Sequence, residues 1–186
     1  PFVYVSSFKF HVSGISLGAQ NVFYKSEGAY TGEISPKMLK SSGVDYVIVG
    51  HSERRKLGET DEVVNKKLKA VLEVSLKPIL CVGEDEGQKK SEVLERELRE
   101  DLKGISSSKV KNITIAYEPI FAISANGGKN CSVDEAMTSI LVIKSTLTKL
   151  YSRDVADRVK ILYGGSVDQK NARSYLEENF IDGLLV

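Results

Sequence analysis

The sequence predicts an α/β fold in which a parallel sheet, curved into a barrel, is covered by helices. Three observations carry this. Apolar runs of strand length alternate with amphipathic stretches of helical spacing, with no linker or low-complexity segment between them. The apolar runs are nearly continuous, as strands buried on both faces are. Finally, His51, Glu84, Glu118 and Ser166 each fall just past the C-terminal end of a different predicted strand. A doubly wound sheet satisfies the first two observations equally well. The third favours a barrel, where those ends converge on one rim and active sites are built.

Taken in order, Pro1 to Ser7 is too short to read, and 8–13 has no clear period. Gly14 to Asn21 reads as a short strand ending in the amides Gln20 and Asn21. A polar loop, Tyr24 to Gly32, follows. Ser35-Pro36 opens a helix, as an N-cap followed by proline at the first position. Val44 to Val49 is the next strand, ending in Gly50-His51-Ser52-Glu53-Arg54-Arg55, with Ser52 expected to cap a helix that starts at Glu53. Val64, Leu68, Val71 and Leu72 recur at i, i+4, i+7 and i+8, one face of a helix.

Pro78 to Val82 is a strand closed by Gly83-Glu84. Leu94, Leu98 and Leu102 then stripe a helix, and Glu92, Glu95, Arg96, Arg99 and Glu100 are expected to form its solvated face, at spacings that allow ion pairs. Ile113 to Tyr117 is a strand. Ala136, Ile140, Ile143, Leu147 and Leu150 mark the helix beginning at Ser132. Val159 to Tyr163 is a strand closed by Gly164-Gly165-Ser166, Ala172, Tyr175 and Leu176 mark another helix, and Ile181 to Val186 reads as a last strand.

Composition narrows the function classes. With 186 residues, 41% of them hydrophobic, the chain suits one domain, 1–186, with a sizeable core. The 26 Lys and Arg against 25 Asp and Glu point to neither nucleic acid nor an anionic membrane as a partner. Cys81, inside the apolar run PILCV, reads as core, and Cys131 lies beside a glycine-rich loop. That is no disulfide framework, and a cytoplasmic location is expected. No apolar run approaches the roughly 18 residues that span a bilayer. Because the sequence starts at Pro1, the expectation is that it represents part of a longer gene product.

The chemistry concentrates in Ile113 to Ser132. A buried strand delivers one carboxylate, Glu118, at its end, and Pro119 fixes the backbone that follows. After Ile120 to Ile123 comes Ser124-Ala125-Asn126-Gly127-Gly128-Lys129, the layout of a catalytic base beneath a flexible lid. A solvated glutamate before an ordinary surface loop gives the same pattern. His51 precedes a helix N-terminus, whose positive dipole disfavours imidazolium, and a neutral ring can donate a hydrogen bond to a substrate carbonyl. It reads equally as a histidine that caps a turn. Gly164-Gly165-Ser166 leaves backbone N–H groups uncovered, a cradle for phosphate if a helix N-terminus follows, though a Gly-Gly turn needs no ligand. Together the three make one machine: Glu118 takes a proton from the carbon beside a carbonyl, His51 polarises that carbonyl, and Ser166 anchors a phosphate.

These residues bring a family into view. AQN at 19–21, GAYTGEIS at 28–35, VGHSERR at 49–55, CVGE at 81–84, AYEPIFAIS at 116–124, YGGSV at 163–167 and DGLLV at 182–186 closely resemble, in family order, the triosephosphate isomerases. The resemblance implies a (βα)8 TIM barrel, with about six of its eight strands in this sequence. It implies interconversion of dihydroxyacetone phosphate and glyceraldehyde 3-phosphate through an enediolate, a step of glycolysis and gluconeogenesis, with Glu118 as base and His51 as neutral electrophile, the worked pattern for this family. By the same resemblance Ser52 and Glu53 support that pair, Ser124, Ser166, Gly164 and Gly165 bind phosphate, and Thr31 contacts the second subunit of a homodimer. No metal and no organic cofactor is implied.

The sequence departs from the family in three places. The segment AISANGGKNCS is longer than the usual AIGTGKTAT-like run, with Ser124 in place of a glycine. Phe121 stands where tryptophan is common. The Asn-x-Lys strand that opens the family, and the glycine pair and helix that close it, are not in this sequence, so the barrel is expected to be incomplete at both ends; about 250 residues is typical of the fold. Two alternatives to an isomerase stay open at this stage. One is an inactive barrel fragment serving as a binding or assembly module, or as one part of a split enzyme. The other is a different barrel enzyme acting on phosphorylated sugars.

Overall fold

The computed structural model describes residues 2–5, 7, 14–123 and 131–186. Six strands form one parallel sheet: β1 (Gly18–Ala19), β2 (Tyr46–Val49), β3 (Lys77–Val82), β4 (Thr114–Tyr117), β5 (Lys160–Tyr163) and β6 (Gly183–Leu184). Neighbours in the sheet are neighbours in sequence, β1-β2-β3-β4-β5-β6, and every pair is parallel. A doubly wound sheet needs a point where strand order reverses. Among the described residues none exists, so the sheet is the singly wound, sequential one of a (βα) barrel, with six strands described. The strands are shorter at their ends than the apolar runs suggest: Gly14 to Leu17 and Val44-Asp45 lead into strands without joining the ladder, and Leu185-Val186 follows one.

Among the described residues nine helices accompany them, α1 before the first strand and the rest after it: α1 (Phe2–Val5), α2 (Pro36–Ser41), α3 (Ser52–Lys56), α4 (Asp61–Glu73), α5 (Lys90–Asp101), α6 (Ser107–Val110), α7 (Val133–Leu150), α8 (Arg153–Arg158) and α9 (Ala172–Leu176). Their starts follow from their caps. Ser35 accepts from Met38 N–H with Pro36 at the first position, Thr60 from Val63 N–H and Ser152 from Val155 N–H. Ser132 and Glu135 form a reciprocal capping box on α7. Among the described residues no helix is long and apolar enough to cross a membrane.

The helices pack their apolar stripes on the sheet, and one core results. Val64, Leu68 and Val71 of α4, Leu94 and Leu98 of α5, and Ala136, Ile140, Ile143 and Leu147 of α7 are essentially inaccessible, as are Val47, Leu80, Ile115 and Ile161 from the strands between them. Cys81 is core, as read from its apolar run. Two predicted stripe residues are not: Leu150 and Leu176 lie at the last turns of α7 and α9, where the buried face has run out, and both are exposed. On α5 the predicted polar face faces solvent; two of its ion pairs have helical spacing, Glu92 with Lys89 and Glu100 with Lys103, and the others run to other elements and adjacent residues. Glu95 meets Lys149, Arg96 meets Asp61 and Glu97, and Arg99 meets Glu100.

Candidate active site

The loop from β2 to α3 turns on Gly50, whose φ of +75° only glycine adopts without strain. Next, His51 caps α3: its Nδ1 accepts from the Glu53 N–H at 3.3 Å. Ser52, the cap expected from its residue type, is instead the first helical residue, buried at 3% exposure. The ring therefore does the cap's work, and the chemistry of the ring follows from it. A nitrogen that accepts a backbone N–H presents its lone pair, so the imidazole proton sits on Nε2, which points into the site.

Glu118 follows β4. Its backbone N–H continues the ladder to Val82 O at 2.8 Å, and Pro119 then directs the chain into a single 3₁₀ turn, Ile120–Ala122. The residue is 2% exposed. Oε2 accepts from the Ser52 N–H at 2.9 Å, and Oε1 lies 3.1 Å from His51 Nε2. Burial pushes this carboxyl above the usual range, opposed by His51, the Ser52 N–H and the Cys81 thiol beside it. A carboxylate held this way is a stronger base than a solvated one.

Gly164 and Gly165 follow β5 and are glycines for steric reasons. A Cβ on Gly164 would sit 3.1 Å from Glu118 Cγ, and one on Gly165 only 2.2 Å from the Tyr163 hydroxyl oxygen. That hydroxyl cannot easily yield, because the Tyr163 ring is stacked on Tyr175 at 4.1 Å between centroids. Both the N–H and the hydroxyl of Ser166 donate to Ala122 O, at 3.0 and 2.6 Å. The Ser166 amide is thus tied to the turn after Glu118, and an anion would have to exchange that bond. No helix starts directly after Ser166 as the cradle reading supposed: residues 167–171 intervene before α9.

These groups line one cleft of about 690 Å³ at the C-terminal end of the sheet, with His51, Glu53, Glu118, Gly164, Gly165 and Ser166 around it. Gln20 and Asn21, after β1, complete the wall. The sequence marked them only as amides at a strand end; Asn21 is held by Lys67, whose Nζ donates to Oδ1 at 2.7 Å. The carboxyl of Glu53 is largely exposed, so its contribution here is its backbone N–H. Glu84, read as a rim residue, is turned away from the cleft. It is buried and accepts from the Tyr117 hydroxyl at 2.8 Å. Thr31 is exposed in a turn of the loop that Phe23, Tyr24 and Tyr30 brace with their rings. Ser124 and the glycine-rich segment through Lys129 lie outside the described residues.

A sequential parallel α/β barrel sheet, bearing a buried carboxylate and an imidazole of fixed tautomer at the C-terminal ends of its strands, defines the class: a barrel enzyme of the proton-transferring kind. The comparisons with known proteins narrow it. The family model "Triosephosphate isomerase" matches residues 1–186. The triosephosphate isomerase of Finegoldia magna is 49% identical, over 94% of this chain and 71% of its own length. That of Caldanaerobacter subterraneus subsp. tengcongensis is 47% identical, over 100% of this chain and 77% of its own. That of Fusobacterium nucleatum is 46% identical, over 94% and 70%. The chain belongs to the triosephosphate isomerase family.

Proposed function

We propose that this chain interconverts dihydroxyacetone phosphate and D-glyceraldehyde 3-phosphate by moving one proton between adjacent carbons, with Glu118 as the base and His51 as the electrophile. One observation carries the reading: a buried Glu118 carboxylate oxygen lies 3.1 Å from Nε2 of a histidine whose other nitrogen is committed to a helix cap. A substrate carbonyl oxygen competes for the Nε2–H. When it takes the N–H, the carboxylate is released toward the carbon acid beside the carbonyl, and charge developing on the oxygen is met by a preorganised donor. The proton then returns to the neighbouring carbon from the same carboxyl, while the hydroxyl proton passes to the former carbonyl oxygen by way of His51 Nε2, so no external acid or base is consumed.

The phosphate is assigned to the glycine turn at Gly164, Gly165 and Ser166, on the wall of the same cleft, with Ser124 as a further donor by family resemblance. Ser52 supports the base through its N–H, and Glu53 supports the imidazole through its own. The reading extends to a homodimer with Thr31 at the contact, supported by its exposure on a braced loop. It also extends to a cytoplasmic location, consistent with two free, buried cysteines, and to a single domain over 1–186, consistent with one continuous core.

The test is an assay of the purified chain in both directions in deuterated water. Proton transfer through a carboxyl that exchanges with solvent puts deuterium at the product's new C–H bond. Deuterium in the product's new C–H bond marks exchange at the base, near-normal turnover in Glu118→Gln would sink the base mechanism, and no turnover of the parent would sink the function.

A further inference from the structure

A buried charge cluster stands beneath the cleft without lining it. The Arg55 guanidinium bridges the seam between β2 and β3: Nε donates to Gly50 O at 2.9 Å and Nη2 to Cys81 O at 3.3 Å. A Cβ at position 50 would lie 3.0 Å from Arg55 Nη2 and 3.2 Å from Cys81 O, so the fork fits because that residue is glycine. Asp101 and Asp61 fix the fork from below, at 2.7 Å to Nη2 and 2.6 Å to Nη1. Glu97, next in the cluster at 3.9 Å from Nη1, accepts from the Gly83 N–H at 3.0 Å.

Two of these three backbone groups lead to the reacting side chains. Gly50 is bonded directly to His51. Gly83 is packed so closely on the Glu118 peptide that a Cβ there would fall 1.8 Å from Glu118 O. Taking the Arg55 guanidinium, Glu97 and Asp101 out of water, with Asp61 and the more exposed Arg96 at their edge, carries a large desolvation cost, and apolar residues of similar volume are often as stable. Bare stability is therefore a poor reason for such a cluster directly under a site.

We propose that Arg55 and Glu97 are positioning residues: by holding Gly50, Cys81 and Gly83 in one rigid frame, they set the spacing of His51 and Glu118 across β2, β3 and β4. The proposal rests on the isomerase reading for its rate effect but not for its geometry, and the experiment separates the two. Arg55→Lys keeps the charge and removes the fork. Glu97→Leu removes the acceptor for the Gly83 N–H, and Glu97→Gln keeps it without the charge. Because a displacement of about 1 Å can lower a rate by roughly 10²-fold, Arg55→Lys and Glu97→Leu should each lose about 10- to 100-fold in kcat with KM within about twofold. Glu97→Gln should stay within about threefold of the parent in both constants, the rescue that a merely electrostatic role would not give.

The second readout is the 15N shift of the His51 ring nitrogens, set by the contacts to Glu118 and Glu53 and independent of turnover. It should move in Arg55→Lys and Glu97→Leu and stay in Glu97→Gln. If the parent chain is inactive, the isomerase reading fails and these shifts still decide the positioning. Unmoved shifts and unchanged kcat in folded Arg55→Lys overturn the proposal. So does an Arg55→Lys chain that fails to fold, since that assigns the fork to stability.

Discussion

His51 Nε2 lies 3.1 Å from Glu118 Oε1, and the opposite ring nitrogen accepts from the Glu53 N–H. The two residues come from the ends of different strands, β2 and β4, with β3 between them, so the pair exists only because the sheet is parallel and in sequence order. The Nδ1 contact leaves Nε2 as the nitrogen that faces the carboxylate. Replacing the acceptor while keeping its shape tests whether that pair performs the chemistry. Glu118→Gln should leave the circular dichroism spectrum unchanged and lower kcat by about 10²- to 10⁴-fold, the range of a lost general base. A variant with near-normal turnover would remove Glu118 from the mechanism.

His51 has two duties, as cap and as electrophile, and one substitution separates them. Asparagine is among the best N-cap residues, whereas alanine in place of a good cap costs about 0.5–2 kcal/mol. His51→Asn should therefore unfold at nearly the parental urea concentration and His51→Ala at a lower one. Both should lose turnover alike, by roughly 10²-fold or more, since neither reaches the substrate with an imidazole N–H. Equal stability of the two variants would mean that the Nδ1 contact contributes nothing to α3.

The sequence disclosed this site unevenly, and the reasons are physical. Strand ends are legible because buried parallel strands are unbroken apolar runs, and His51, Glu118 and Ser166 could be placed on one rim from that alone. The cap on α3 was legible only as one of two readings, because Ser52 belongs to the usual capping types and an imidazole, read also as capping a turn, does not. Glu84 follows its strand as Glu118 follows β4, yet it is captured by the Tyr117 hydroxyl, and the pairing of Val82 with Tyr117 that permits this is a cross-strand register. No local pattern contains it. Glu97 and Asp101 did leave a signal: they stand three and seven residues after Leu94, on the buried stripe of α5, and both are inaccessible. Carboxylates at core spacing announce a buried partner, which here is Arg55.

Gly83 offers a steric test of the frame around Glu118. Its Cα lies against the Glu118 peptide, and a methyl group placed there meets backbone atoms at 1.8 and 2.6 Å, so the strands themselves have to move apart. Gly83→Ala should lower stability by about 1–3 kcal/mol, the cost of overpacking, and should reduce kcat even where the protein is fully folded. Gly58→Ala is the control: it has open space around its Cα and, unlike Gly83, a positive φ of 98°, so it carries backbone strain without a clash. It should lose stability and retain turnover.

The cluster under the site also makes stability depend on pH in a direction opposite to that of ordinary surface ion pairs. Burial pushes Asp101 up to about 8; the Arg55 charge pulls it down, and Asp61 and Glu97 add to the rise. Among the described residues Asp101 Oδ1 meets no partner, which leaves it the oxygen to carry the proton. The folded value lies above the unfolded one of about 3.9, so folding is favoured by protonation. The contribution is whole below about pH 4 and is lost as pH rises toward 8, with a slope of at most about 1.4 kcal/mol per pH unit for one proton. Glu97 and Glu118, also pushed up by burial, act in the same sense. Urea unfolding of the parent and of Asp101→Asn between pH 5 and 9 isolates this one group. The parent should lose stability relative to the variant across that range and level off above pH 8. Parallel curves would mean that Asp101 is ionised throughout, held by Arg55 alone.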